Sequence, residues 1–107
     1  MPTYLGEFEQ LVLLAVLRLG PRATGAAVRA AVEDGSGRRV WIGAVHTTLD
    51  RLEAKGLVRV RFTESDDAGE RRRKVFVLHP DGRAALGQAY ATWVRMTRGL
   101  KPKLESL

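Results

Sequence analysis

Residues 43–62, "GAVHTTLDRLEAKGLVRVRF", run from one kind of hydrophobic period into another across a single glycine. Val45, Leu49 and Leu52 recur at steps of four and three, which predicts an amphipathic helix over 43–55. Gly56 stands where a helix commonly ends in a left-handed cap. Residues 57–63 then alternate. They predict a strand with Val58, Val60 and Phe62 inward and Arg59 and Arg61 outward. At about 100° per residue, a core stripe at Val45, Leu49 and Leu52 turns Gly43, Thr47, Asp50 and Arg51 away from the core. Ala44, His46 and Thr48 flank that outer face. Its residues are mostly short or hydroxylated, as they would be if something large lay close against it.

Upstream, residues 4–19 predict a first helix. Leu5, Phe8, Val12, Ala15 and Leu19 form one apolar face, and Leu11, Leu13, Leu14 and Leu17 add apolar surface around the rest. A helix apolar on all sides must be covered on all sides, by the core, by a partner subunit or by both. Gly20-Pro21 ends it. Residues 24–34 predict a short second helix, capped by Thr24 and stopped by Gly35 and Gly37. Residues 39–41 read as a brief extended segment. Downstream, the polar stretch 64–70 reads as a loop and 75–78 as a second strand, preceded by Arg71, Arg72, Arg73 and Lys74. A last helix is expected from Pro80 to about Gly99, with Leu86, Tyr90, Trp93, Thr97 and Leu100 on a heptad-like seam. Residues 101–107 are expected to fray.

The order helix, helix, helix, strand, loop, strand, helix is that of a winged helix-turn-helix. The predicted fold is α+β and mostly helical: three helices and a two-stranded β-wing over 1–79, then a C-terminal helix over 80–107 that packs on its own core, on a partner chain or across both, forming one structural unit with the rest.

The 107 residues fit one domain, and 18 Lys and Arg against 12 Asp and Glu leave a net charge of +6. With a pI near 10.5, nucleic acid is the first polyanion to consider. The absence of cysteine excludes disulfides and thiolate metal sites, and makes the cytoplasm the default location. His46 and His79 lie far apart with no carboxylates at ligand spacing, so no metal and no cofactor is expected. The run 11–17 is too short to span a bilayer, and no signal peptide is expected. There is no nucleophile with a paired base, no carboxylate pair and no phosphate-cradling glycine loop, so an enzyme is not expected.

In a helix-turn-helix the second helix of the motif enters the major groove, with its N-terminal residues against base edges. That assigns Ala44, His46, Thr47, Thr48 and Arg51 to DNA: methyl groups to thymine, hydroxyls and Arg51 to bases or phosphates. Arg71, Arg72, Arg73 and Lys74, beside the wing tip, are assigned to phosphates, diluted by Glu64, Asp66, Asp67 and Glu70. Asp50 belongs at the edge of the contact. A winged-helix adaptor binding protein or RNA is the competing class. Double-stranded RNA would not admit the helix at 43–55, and Phe62 and Phe76 read as buried, unavailable for stacking on single strands.

The segments "LGEFEQLVLLAVLRLGPRATGAAVRAAVE", "GAVHTTLDRLEAKGLVRV" and "RRRKVFVLHPDGRAAL" together resemble the PadR-type transcriptional regulators, over nearly the whole chain. The resemblance is to the compact branch, with one C-terminal helix. It implies a homodimeric DNA-binding repressor whose last helix packs on the partner with help from the first, involving Leu5, Phe8, Leu11, Leu86, Tyr90, Trp93, Thr97 and Leu100. It also implies a small-molecule effector in some members, held between paired tryptophans. Trp93 is the candidate here, with plain interface packing the favoured role. His46 stands where the family usually has a backbone-reaching Tyr. His79 stands where it usually has a capping Thr, so a looser start to the last helix is expected.

Overall fold

The computed structural model describes residues 4–63 and 72–106. Three helices, α1 (Glu7–Leu19), α2 (Gly25–Ser36) and α3 (Ile42–Ala54), precede strands β1 (Val58–Phe62) and β2 (Lys74–Leu78), and helices α4 (Pro80–Thr97) and α5 (Lys101–Glu105) follow. A single 3₁₀ turn, Gly20–Arg22, joins α1 to α2. The strands pair antiparallel, Val58 opposite Leu78 and Phe62 opposite Lys74. The winged helix-turn-helix is therefore the fold, as predicted, with a C-terminal helical extension.

Local chemistry sets each boundary. Thr24 Oγ1 accepts from the Ala27 N–H at 3.2 Å and starts α2. Gly56, at φ 76°, turns the chain out of α3 in a conformation that L side chains rarely adopt, and the Leu57 N–H reaches back to Leu52 O at 2.9 Å. His79 does cap α4, contrary to the looser start expected: its Nδ1 accepts from the Asp81 N–H at 2.9 Å. An unprotonated imidazole nitrogen serves this role as a hydroxyl would. Residues 101–105 form a short helix where fraying was expected, opened by Leu100 and Pro102.

The core lies where α1, α2, α3 and the hairpin meet. Val12, Leu13, Val16, Val28, Val45, Leu49, Leu52, Val58, Val75 and Phe76 are almost wholly buried there. The Phe76 N–H donates to Ala23 O at 2.9 Å, tying the wing to the turn before α2. Only the start of α4 joins this core, through Gly82, Ala85 and Leu86. Beyond Leu86 the helix runs on past the core, leaving an open cleft against α1, and the molecule measures 55 × 34 × 21 Å.

A part-buried ion pair sits at the core edge. Glu9, 8% exposed, takes Lys55 Nζ at 2.7 Å on one oxygen and the Gly6 N–H at 2.9 Å on the other. Burial alone would raise its pKa. The hydrogen bonds from Lys55 and Gly6, with the charges of Lys55 and Arg51, outweigh that and hold the carboxyl below its usual range. A depressed folded-state pKa gives stability that is complete above the unfolded value and lost as pH falls through the folded one. Glu9→Gln is therefore expected to cost about 1–2 kcal/mol at pH 7. In urea titrations across pH 7 to 2 that gap should close below about pH 4. A gap that persists at pH 2 would show that the charge is not its source.

Candidate nucleic-acid interface

The buried stripe of α3 is Val45, Thr48, Leu49 and Leu52. Thr48, 6% exposed, faces the core and not a groove, which corrects its assignment to DNA. The spacing i, i+3, i+4, i+7 from Val45 includes position 48, and a threonine methyl fits that stripe. The outward face keeps Ala44, His46, Thr47, Asp50 and Arg51, all exposed.

His46 has a second attachment. A Cβ placed on Gly25 would lie 2.6 Å from His46 Cε1, so the imidazole rests on the bare backbone at the start of α2. Gly25 itself is buried. The ring thus lies at the contact between the two helices of the motif, although His46 as a whole is exposed.

The turn into α3 is held by Glu33. Its Oε1 accepts from the Val40 N–H at 3.0 Å and from Arg29 Nη1 at 2.9 Å. The Val40 bond, then the charges of Arg29 and Arg39 working against desolvation, keep this carboxyl below its usual range. Arg38 pairs with Glu7 at 3.0 Å, fastening the same turn to the start of α1. Beyond Val40 stands Trp41, 69% exposed, with the Arg39 guanidinium carbon 5.4 Å from its ring centroid. No sequence argument singled out this pair. The signal was present: an indole occupies the N-cap position of α3, where Ser, Thr, Asp or Asn is usual, and its side chain makes no capping bond.

Phe62 is a further correction. It was expected inward but is 53% exposed, because its rung with Lys74 lies at the far end of the ladder from Val58 and the core. Its ring carries Arg72 instead, the guanidinium carbon 5.3 Å from the centroid. Lys74 Nζ lies equally close, 5.3 Å, to the ring of the buried Phe76. The Thr63 N–H donates to Arg73 O at 2.9 Å, continuing the ladder towards the wing loop. The exposure of Phe62 removes one of the two grounds for setting single-stranded RNA aside; Phe76 is buried as expected. Arg71 lies outside the described residues, as do the four acids of the wing loop. Arg51, Arg59, Arg61, Arg72, Arg73 and Lys74 form no ion pair among the described residues.

The last helix carries the other uncovered surface. Tyr90, Trp93, Val94 and Met96 are 41–72% exposed, and Leu14 and Leu17 of α1 are 48% and 42% exposed. Between these helices lies an apolar cleft of about 260 Å³, lined mainly by Leu11, Leu14, Leu86, Ala89, Tyr90 and Trp93. Among the seam residues, Leu86 is spent in the chain's own core at 6% exposure, and Leu5, Phe8 and Leu11 pack partly against it. Leu86 was counted with the intersubunit contacts; its burial within one chain corrects that. Thr97 Oγ1 donates to Trp93 O at 2.6 Å, and Leu100 opens α5. Among the described residues no helix is long and apolar enough to cross a membrane.

The sequence model described as the Transcriptional regulator PadR-like family matches residues 13–88, from within α1 to the first half of α4. Over 88 residues the chain is 36% identical to an uncharacterized 37.1 kDa protein in transposon TN4556 of Streptomyces fradiae. That match covers 82% of this chain and 24% of the relative, so the chain spans about a quarter of that protein's length. The fold is similar to that of a PadR family transcription regulator from Clostridium difficile, with a TM-score of 0.71 at 20% identity, covering 92% of this chain and 99% of that one. It is also similar to Bordetella bronchiseptica BpsR, whose DNA binding is regulated by 6-hydroxynicotinic acid. There the TM-score is 0.68 at 26% identity, with 96% and 74% of the two chains covered.

Proposed function

Since this chain belongs to the PadR-like family of transcriptional regulators, we propose that it is a cytoplasmic homodimeric repressor, regulatory and not catalytic, that reads duplex DNA with α3. The observation that carries this reading is the outward face of α3. Ala44, Thr47 and Arg51 are exposed and serve no core role, beside a hairpin whose described cations form no ion pair among the described residues. Ala44 and Thr47 are short enough for the helix backbone to approach base edges, and Thr47 brings both a methyl and a hydroxyl. His46, braced on Gly25, is placed for a phosphate or sugar contact at the groove edge. Arg72, Arg73 and Lys74 supply phosphate contacts that position the domain without reading sequence.

The division of labour is testable on the duplex upstream of the chain's own coding region, with a scrambled duplex as control. Thr47→Ala should change base preference by about 1–3 kcal/mol at one position of each half-site. Arg72→Ala should weaken both duplexes alike and reduce the slope of log K against log salt by about 0.9 for each subunit bound. Equal affinity of the unaltered protein for both duplexes would reduce the reading to non-specific polyanion binding.

The apolar cleft beside Trp93 supports an effector site, as does the regulation of BpsR by a small aromatic acid. In the dimer, Tyr90 and Trp93 of both copies would enclose a flat ligand. A planar compound entering there would change Trp93 emission, and constant emission over a panel of planar aromatic acids and cations would remove the effector from the reading.

A further inference from the structure

We infer that Arg39 and Trp41 form an additional DNA contact on each subunit, the indole lying against a deoxyribose and the guanidinium on the adjoining phosphate, at the edge of the groove that α3 enters. The inference rests on the DNA-binding reading above and extends it to residues outside both α3 and the wing. Trp41 is 69% exposed and contributes nothing to the core. Its side chain caps no N–H group of α3. Yet the pair is not loosely placed. Val40, between the two residues, is 6% exposed and its N–H is bound to Glu33 at 3.0 Å, so the backbone carrying them is fixed. Arg39 lies over the ring at 5.4 Å, which makes a flat apolar plate with a cation on one side. Ile42, 42% exposed, extends the apolar edge.

Arg39 forms no ion pair among the described residues, whereas its neighbours Arg29 and Arg38 each have one. A matching partner presents an apolar flank and an anionic group in alternation at short range, as the sugar–phosphate backbone does. Charge complementarity selects an anionic partner, and continuity with the exposed Ile42, Gly43 and Ala44 of α3 selects the duplex those residues face. A second copy of this chain is a poorer match, because a two-fold contact here would bring Arg39 towards its own equivalent.

The test uses the full chain carrying 5-fluorotryptophan at both of its tryptophans, Trp41 and Trp93, with Trp41→Phe to assign the two ¹⁹F resonances. Addition of the upstream duplex should shift the Trp41 resonance. Trp41→Ala should bind about tenfold more weakly to the natural and the scrambled duplex alike, and Trp41→Phe should retain most of the affinity. Arg39→Ala should lower the salt slope by about 0.9 for each subunit bound. Circular dichroism of Trp41→Ala should match that of the unaltered protein, since the side chain is 69% exposed and outside the core. If the unaltered protein binds while the Trp41 resonance stays in place, or if Trp41→Ala keeps full affinity, the inference is overturned and the DNA-binding reading stands. Failure of the unaltered protein to bind either duplex overturns both.

Discussion

Trp93→Asp is expected to yield a folded single subunit that binds the natural duplex more weakly by a factor on the order of 10²–10⁴. The side chain is 60% exposed in one chain, amid Tyr90, Val94 and Met96 and across a cleft from Leu11 and Leu14. Monomeric proteins rarely leave so much contiguous apolar surface in water. In the proposed dimer this surface is covered, and a carboxylate at its centre would have to be desolvated without a partner, which opposes association strongly. The core is untouched, because α4 joins it only through Gly82, Ala85 and Leu86. Affinity falls because the second half-site contact ceases to be intramolecular once the subunits are unlinked. Sedimentation, circular dichroism and duplex titration measure the three parts of this expectation. If the unaltered protein is itself a single subunit at micromolar concentration, with and without DNA, the homodimer is wrong.

Gly82→Ala is expected to destabilise the domain by about 3 kcal/mol, lowering the melting temperature by roughly 12–24 °C. A Cβ at position 82 would lie 2.1 Å from Leu57 O, 2.9 Å from Leu78 Cδ1 and 3.0 Å from Leu57 C. The nearest of these is backbone, and Leu57 O is further held by the His79 N–H at 3.0 Å. The carbonyl cannot yield without moving the junction of α3, β1 and α4 together. Gly87, on the same helix, has nothing within 4 Å of its built Cβ. Gly87→Ala should therefore stabilise by about 0.5–1 kcal/mol through helix propensity alone. Opposite signs for the two substitutions in thermal melts would confirm the docking of α4. Equal signs would refute it.

Most of the fold was legible in the sequence, because periodicity, caps and turn residues agree at nearly every boundary. The change from a helical to an alternating period across Gly56 located α3 and β1 to within a residue or two. Positions at the ends of regular patterns were less legible. Phe62 continues the alternation of β1, but the strand extends beyond the core that gives alternation its meaning. Thr48 lies about 60° from the centre of the buried stripe, near enough to be covered by α1 and α2. Its hydroxyl suggested the opposite face. Leu86 belongs to the heptad seam by spacing, yet α4 is still against its own domain at that point. Trp41 and Arg39 were missed for another reason. Their pairing depends on the Glu33–Val40 bond, which joins residues seven apart across an irregular turn, where no period applies. The outward placement of Ala44, Thr47 and Arg51 could be argued from spacing, but Gly25 beneath His46 could not, since nothing local signals that two helices meet at one ring.

The anchoring of α4 by its first two turns has a mechanical consequence. An 18-residue helix is about 27 Å long. A tilt of about 10° at the fixed end of such a rod carries its free end roughly 5 Å sideways, close to the pitch of one helical turn. In a two-fold assembly both arms would swing, and the gap between the two reading heads would change with them. The compliance of a single joint, where Gly82 lies against the Leu57 carbonyl, would then govern how closely that gap keeps step with the repeat of the double helix.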